Sequence, residues 1–248
     1  MLIQREHVVR RVIQKIVKHH IYTRFVKILI RHALIHEKSF KFRRDVVGAI
    51  QSWEFEKSEF TDVTPFDTHE ELVLECIKRT NPKLINWIEL GVATGNSIRL
   101  FSSIAKKLGL SPKISGFDSF EGMPEDWHGR VKKGDLSHPM PKFKDKNITL
   151  FKGWFETSLP EFVDRELTEQ IGFLHIDSDL YSSAKTAFEN FTNYIGSGTV
   201  ILFDEYWNYA EYADHEYKAF GEFIQDNELE FEYIGYHRHH MQAAVIIL

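Results

Sequence analysis

The sequence predicts an α/β fold: a doubly wound, mostly parallel seven-stranded sheet that closes on a C-terminal antiparallel strand pair, with helices at the N-terminus. Three observations predict it. From residue 84 onward, short apolar runs alternate with stretches of helical periodicity. The first of those runs enters a helix through a glycine-bearing turn, Trp87-Ile88-Glu89-Leu90-Gly91-Val92-Ala93-Thr94-Gly95-Asn96-Ser97. The last two runs are separated only by His237-Arg238-His239-His240, too short for a parallel crossover, so they pair antiparallel.

The N-terminal region comes first. Residues 1–47 contain no Gly or Pro. Val8, Val9, Val12, Ile13, Ile16 and Val17, then Ile21, Phe25, Ile28, Leu29 and Leu34, recur at helical spacing with Arg and Lys between them. Residues 1–44 carry 12 Lys/Arg against 2 Asp/Glu, a balance of +10, whereas the remainder carries 19 against 34, a balance of −15. The reading is a basic amphipathic helical arm over 1–47 and a catalytic domain over 48–248. The arm is expected to pack on the body or on a second subunit, giving a homo-oligomer. Peripheral membrane contact is the alternative. No nucleic-acid partner is expected.

Residues 48–66 read as irregular, and Thr68-His69-Glu70-Glu71 as a capping box opening a helix that ends before Asn81-Pro82. Strands are predicted at 84–90, 113–117, 148–151, 171–176, 198–203, 231–236 and 243–248. Helices are predicted at 97–108, from Ser158-Leu159-Pro160, at 180–194 and at 215–226. Residues 122–147 form the longest aperiodic segment, of the kind that serves as a lid or binding loop. The single cysteine, Cys76, excludes an intramolecular disulfide and fits a reducing compartment. No apolar run approaches the roughly 20 residues that span a bilayer, and the N-terminus lacks a signal-peptide core. A cytoplasmic location is expected.

Open α/β sheets bind ligands at the carboxyl ends of their strands. Gly91 and Gly95 end the first strand and Asp118 ends the second, where a carboxylate can accept from ribose hydroxyls. Three features favour S-adenosylmethionine over a dinucleotide. The glycines are spaced G-x-x-x-G, without the pyrophosphate turn of G-x-G-x-x-G. Glu89 precedes the loop, where an acid suits a cationic ligand. The closing antiparallel pair fits a methyltransferase sheet better than a dinucleotide fold.

The motif Ile88–Ser97, with Phe117-Asp118-Ser119-Phe120-Glu121-Gly122-Met123-Pro124, Lys152-Gly153-Trp154-Phe155, Leu174-His175-Ile176-Asp177-Ser178-Asp179-Leu180-Tyr181 and Phe203-Asp204-Glu205-Tyr206, resembles the macrocin O-methyltransferase family of class I, Rossmann-like methyltransferases. The resemblance covers about residues 50–248. It implies methylation of a sugar hydroxyl on a natural product or related glycan. By it, Glu89, Gly91 and Gly95 hold the methionine end of the cofactor. Asp118 and Ser119 meet its ribose, and Trp154 and Phe155 lie near its adenine.

An alcohol holds its proton at neutral pH, so methyl transfer to it benefits from a base, a metal or both. If the fourth and fifth strands are neighbours, Asp177 and Asp204 converge above the sheet, and Glu205 adds a third oxygen donor for Mg²⁺. The resembled family binds Mg²⁺ at such positions but commonly has Asp-Asp where this chain has Asp204-Glu205. Asp177 and His128 are the catalytic candidates, His128 as the base. Asp179 reads as the N-cap of the helix at Leu180. His175 reads as a packed, hydrogen-bonded histidine, and the His237–His240 tract as a solvated turn. The aromatic run Tyr206, Trp207, Tyr209 and Tyr212 is expected to face a small-molecule or glycan acceptor. Arg130, Lys132, Lys133, Lys142 and Lys144 read as a solvated loop that could also meet an acidic acceptor. A phenol or amine acceptor, with or without metal, is the alternative chemistry.

Overall fold

The computed structural model describes residues 40–127 and 131–248. Most of the basic arm therefore lies outside the described residues. Helix α1 (Phe40–Glu59) opens the described chain. It runs through the expected boundary at residue 47 and takes up 48–59 of the stretch read as irregular over 48–66. The periodicity was hidden because small and polar residues carry it: Gly48, Ala49, Ser52 and Phe55 are the buried positions. Ser52 Oγ donates to the Gly48 carbonyl at 2.6 Å. A Cβ on Gly48 would stand 3.0 Å from the Ala210 backbone, so glycine permits the close approach of α1.

Strand β1 (Pro65–Phe66) follows, then α2 (His69–Arg79), β2 (Asn86–Leu90), α3 (Asn96–Lys107) and β3 (Lys113–Asp118). Next come β4 (Ile148–Lys152), α4 (Phe155–Arg165), β5 (Ile171–Ile176), α5 (Tyr181–Phe191) and β6 (Val200–Phe203). The chain closes with α6 (Glu216–Asp226), β7 (Phe231–His237) and β8 (Ala243–Ile247). The capping box of α2 forms as expected: the Glu71 N–H donates to Thr68 Oγ1 at 3.2 Å and the Thr68 N–H to Glu71 Oε2 at 3.1 Å. Helix α4 begins three residues earlier than expected, with Pro160 inside it and Trp154 at its N-cap.

The sheet order is β1-β7-β8-β6-β5-β2-β3-β4. β8 pairs antiparallel with both β6 and β7, and the other pairs are parallel. The expected seven strands are present. The eighth, β1, sits on the edge beside β7, a position that tolerates its proline. Apolar layers cover both faces. One is built with α2 and α3 through residues such as Leu72, Ile77, Ile98 and Phe101. The other holds Leu159, Phe162, Phe188, Phe220 and the α1 anchors Phe55 and Phe60.

Those anchors decide the fate of the aromatic run after β6. Tyr206, Trp207 and Tyr209 are each at most 1% exposed. Phe55 stacks on Trp207 at 6.1 Å, Phe60 meets Trp207 edge-on at 5.1 Å, and Phe60 stacks on Tyr236 at 4.3 Å. These rings are core and offer no open face to an acceptor, contrary to the expectation. The chain reverses direction across the sheet between β2 and β5, so the crevice at their carboxyl ends is the switch point of the fold. Among the described residues no helix is long and apolar enough to cross a membrane.

Candidate active site

The loops after β2, β3, β5 and β6 converge on one edge. Each holds a non-glycine residue with positive φ: Ala93 at 44°, Phe120 at 57°, Asp179 at 62° and Asn208 at 67°. Such backbone is held only where its surroundings enforce it, and it clusters at functional sites. Gly91 has φ 94°, and a Cβ there would come within 1.7 Å of the Asp177 carbonyl oxygen. Glycine is thus needed for the passage of the β5 backbone as much as for any ligand. Gly95, with φ 76°, lies under the long loop, where a Cβ would meet Phe143 at 2.6 Å.

A cavity opens at these ends. Its lining includes Gly91, Asp118, Ser119, Trp154, Phe155 and Asp177, together with Asp179 and Met123 of the long segment. Asp118 braces the loops: its Oδ2 accepts the Ala93 N–H at 2.7 Å and its Oδ1 the Phe120 N–H at 2.6 Å. Each oxygen keeps a second lone pair for a ligand. Within the long segment the Met123 N–H donates to the Asp135 carbonyl and the Gly134 N–H to the Met123 carbonyl, both at 2.9 Å. Lys132, one of the candidate cations, pairs with Asp126 at 2.7 Å.

Beside the cavity, one oxygen each of Asp177 and Asp204 and one ring nitrogen of His175 lie within 4.8 Å of one another. β2 and β5 pair Glu89 with His175, so both side chains point the same way. Glu89 Oε1 stands 3.0 Å from His175 Nδ1. Glu89 is fully buried and does not line the cavity. Burial raises its pKa, partly offset by His175. Asp177, Glu205 and Glu216 are also held well above the usual carboxylate range, first by burial and then by each other's charges and those of Asp179 and Asp204. Asp179 rises to about 7 through burial and Asp204. It does not cap α5: the N-cap residue is Leu180, and no side chain bonds there. So many carboxyls in one dry place call for a proton or a cation.

Beyond Asp204 lies a second cleft, of about 700 Å³, lined by His69, Asn96, Ser97, His237, His240 and Gln242 among others. Gln242 Nε2 donates to Asp204 Oδ1 at 2.9 Å. His237 is 5% exposed, its ring centroid 4.5 Å from that of His240. Of the tract expected as a solvated turn, residues 238–240 do form a turn with Arg238 exposed, while His237 and His240 line the cleft. Burial and the neighbouring imidazoles lower the His237 pKa to about 4, so it is neutral.

Residues 88–206 match the family model of a methyltransferase domain. No curated protein matches the sequence at a significant level. The fold is that of Rossmann-like methyltransferases. CalS11, a calicheamicin methyltransferase, superposes with a TM-score of 0.58 at 15% identity over 88% of this chain and 89% of its own. The apo form of CalS11, described as a TDP-rhamnose 3′-O-methyltransferase, gives 0.54 at 14% identity over 88% and 91%. The O-methyltransferase NovP gives 0.54 at 18% identity over 71% and 76%.

The structure brings together Gly91, Asp118, Ser119, Trp154, Phe155 and Asp177 around one cavity, and Asp177 with Asp204. Glu205 is not one of the three residues whose ligand atoms fall within 4.8 Å of one another; its backbone N–H donates to Glu216 Oε2 at 3.2 Å, and its Oε2 is buried without a hydrogen-bond partner. The catalytic candidate His128 and the loop cation Arg130 lie outside the described residues. One residue was missed. Glu216 is fully buried and ties the loops after β5 and β6 by accepting the Ser178 and Glu205 N–H groups. No pattern in the sequence marks it. His175 is the packed, hydrogen-bonded histidine expected, and it also joins the acidic pair.

Proposed function

We propose that this chain is an S-adenosylmethionine-dependent O-methyltransferase that uses a divalent cation to methylate a hydroxyl of a sugar or glycosylated small molecule. One observation carries the reading. Asp177 lines the cavity framed by the glycine turn, Asp204 lines the histidine cleft, and their carboxylates meet between the two. A methyl donor in the first space and an acceptor in the second would face each other across the acids. The resemblance to the macrocin O-methyltransferase family and the sugar substrate in the description of CalS11 point the same way.

In this reading Gly91 opens the backbone to the cofactor, Asp118 and Ser119 meet its ribose, and Trp154 and Phe155 flank its adenine, while Gly95 serves the turn under the long loop. Asp177 and Asp204 would hold the cation, Mg²⁺ by resemblance, which when bound lowers the pKa of a coordinated hydroxyl. The neutral imidazole of His237 can donate to or accept from a sugar hydroxyl. The main contribution is alignment of the two reacting atoms for in-line displacement.

The cofactor reading is tested by calorimetry. S-adenosylmethionine and S-adenosylhomocysteine should bind and NAD should not. Trp154 is 36% exposed and its side chain caps nothing, so Trp154→Ala should leave the fold intact and weaken binding roughly tenfold by loss of ring contact. NAD binding, or unchanged affinity in the variant, would overturn the assignment. Gly91→Val is a poor probe, because its side chain would displace Asp177 as well as the ligand.

The basic arm we read as an association segment, a subunit partner being favoured over lipid. Among the described residues α1 anchors the core from Gly48 onward, and deleting residues 1–36 is expected to leave the thermal midpoint within about 2 °C. Light scattering should then show a smaller assembly. An unchanged mass with loss of salt-dependent binding to anionic vesicles would transfer the role to a membrane surface.

A further inference from the structure

We infer that the third ligand of the cation is His175 Nε2, not Glu205, and that the site therefore prefers a nitrogen-accepting first-row ion such as Mn²⁺ or Co²⁺ over Mg²⁺. This rests on the metal-assisted reading above and names the atoms that would carry it out. His175 is 1% exposed, wedged against the ring of Phe101 at 5.2 Å. Its Nδ1 faces Glu89 Oε1 at 3.0 Å. Ligation through Nε2 requires the ring proton on Nδ1, and Glu89 Oε1 is placed to accept it. That Nε2 is buried and has no hydrogen-bond partner. It lies 4.0 Å from Asp204 Oδ1, too far for a hydrogen bond. Two atoms that share one ion at about 2.0–2.3 Å each lie at most about 4.6 Å apart, so one ion can bridge this gap. Asp177 completes the group, all three ligand atoms falling within 4.8 Å.

The arrangement carboxylate–imidazole–ion is the usual way a buried histidine is aimed at a metal. The register of β2 and β5 builds it here by setting Glu89 beside His175. Glu205 is absent from the group, and the charge that acts on it most strongly is that of Asp179. A nitrogen donor weakens the case for Mg²⁺, which favours an all-oxygen octahedron, and strengthens it for later divalent ions.

The test uses the full-length protein with Mn²⁺ as the probe, read by pulsed electron paramagnetic resonance, with Mg²⁺ as competitor. The expected spectrum shows ¹⁴N coupling from one imidazole, and Mg²⁺ displaces Mn²⁺ only at more than about tenfold excess. Asp177→Asn should abolish the coupling and His240→Ala should keep it, while retained S-adenosylmethionine binding shows that each variant is folded. Mn²⁺ bound without nitrogen coupling would overturn the His175 assignment and leave a metal-assisted enzyme standing. Coupling that survives Asp177→Asn but vanishes in His240→Ala would put the ion among the cleft histidines and overturn it equally. Failure of both Mn²⁺ and Mg²⁺ to bind would sink the inference together with the metal reading.

Discussion

Asp204→Asn is expected to lower methyl transfer at least about 100-fold, the scale on which one electrostatic stabiliser acts in a dry site, while S-adenosylmethionine binding stays near wild type. The substitution keeps the shape of the side chain and an oxygen to accept from Gln242 Nε2, which now donates at 2.9 Å. It removes the charge that Asp204 brings to the His175–Asp177 group. Asp204 does not line the cofactor cavity, so binding and turnover should separate. The assay is release of S-adenosylhomocysteine, with TDP-rhamnose as the first test acceptor and calorimetry for the cofactor. A wild-type rate, or full activity in a chelator, would refute a catalytic cation.

The second large effect is on stability. Asp179 titrates near 7 in the folded protein against a usual value of 3.8, because burial and the charge of Asp204 penalise its ionised form. The folded state therefore holds a proton that the unfolded chain releases, and stability falls as pH rises from about 4 to about 7. Asp179→Asn has no such proton to lose. Without metal, the variant should match wild type near pH 4 and exceed it near pH 7 by up to about 4 kcal/mol, the ceiling that the rise from 3.8 to about 7 sets. His237, whose pKa is lowered to about 4, acts in the opposite direction, but it is common to both proteins and cancels. Urea unfolding at stepped pH measures the difference. Added Mn²⁺ should shrink it, since a cation offsets the same repulsion. A difference independent of pH would show that Asp179 is not strained by its neighbours.

Much of this was legible in the chain. The alternation after residue 84, the glycine turn and the short final connection determined a parallel sheet with an antiparallel end, because strand and helix periods and loop lengths are local properties. Asp118, Asp177 and Asp204 were found because strand ends in such a sheet must converge. The capping box at Thr68 was equally local.

Other features were settled only by packing. Helix α1 is buried through Gly48, Ala49 and Ser52, residues whose hydropathy hides the period. The aromatic run after β6 is as suited to a ligand as to a core, and Phe55 and Phe60, far earlier in the chain, make it core. His175 is an ordinary strand histidine until the register of two parallel strands sets Glu89 against Nδ1 and leaves Nε2 facing Asp204. The His237–His240 tract reads as a wet turn until α2 brings His69 to the opposite side of the cleft. The sequence by itself determined which strand ends carry acids. Tertiary structure alone decided which side chains those acids meet, because side-chain contacts depend on register and on layers joined by residues far apart in the chain.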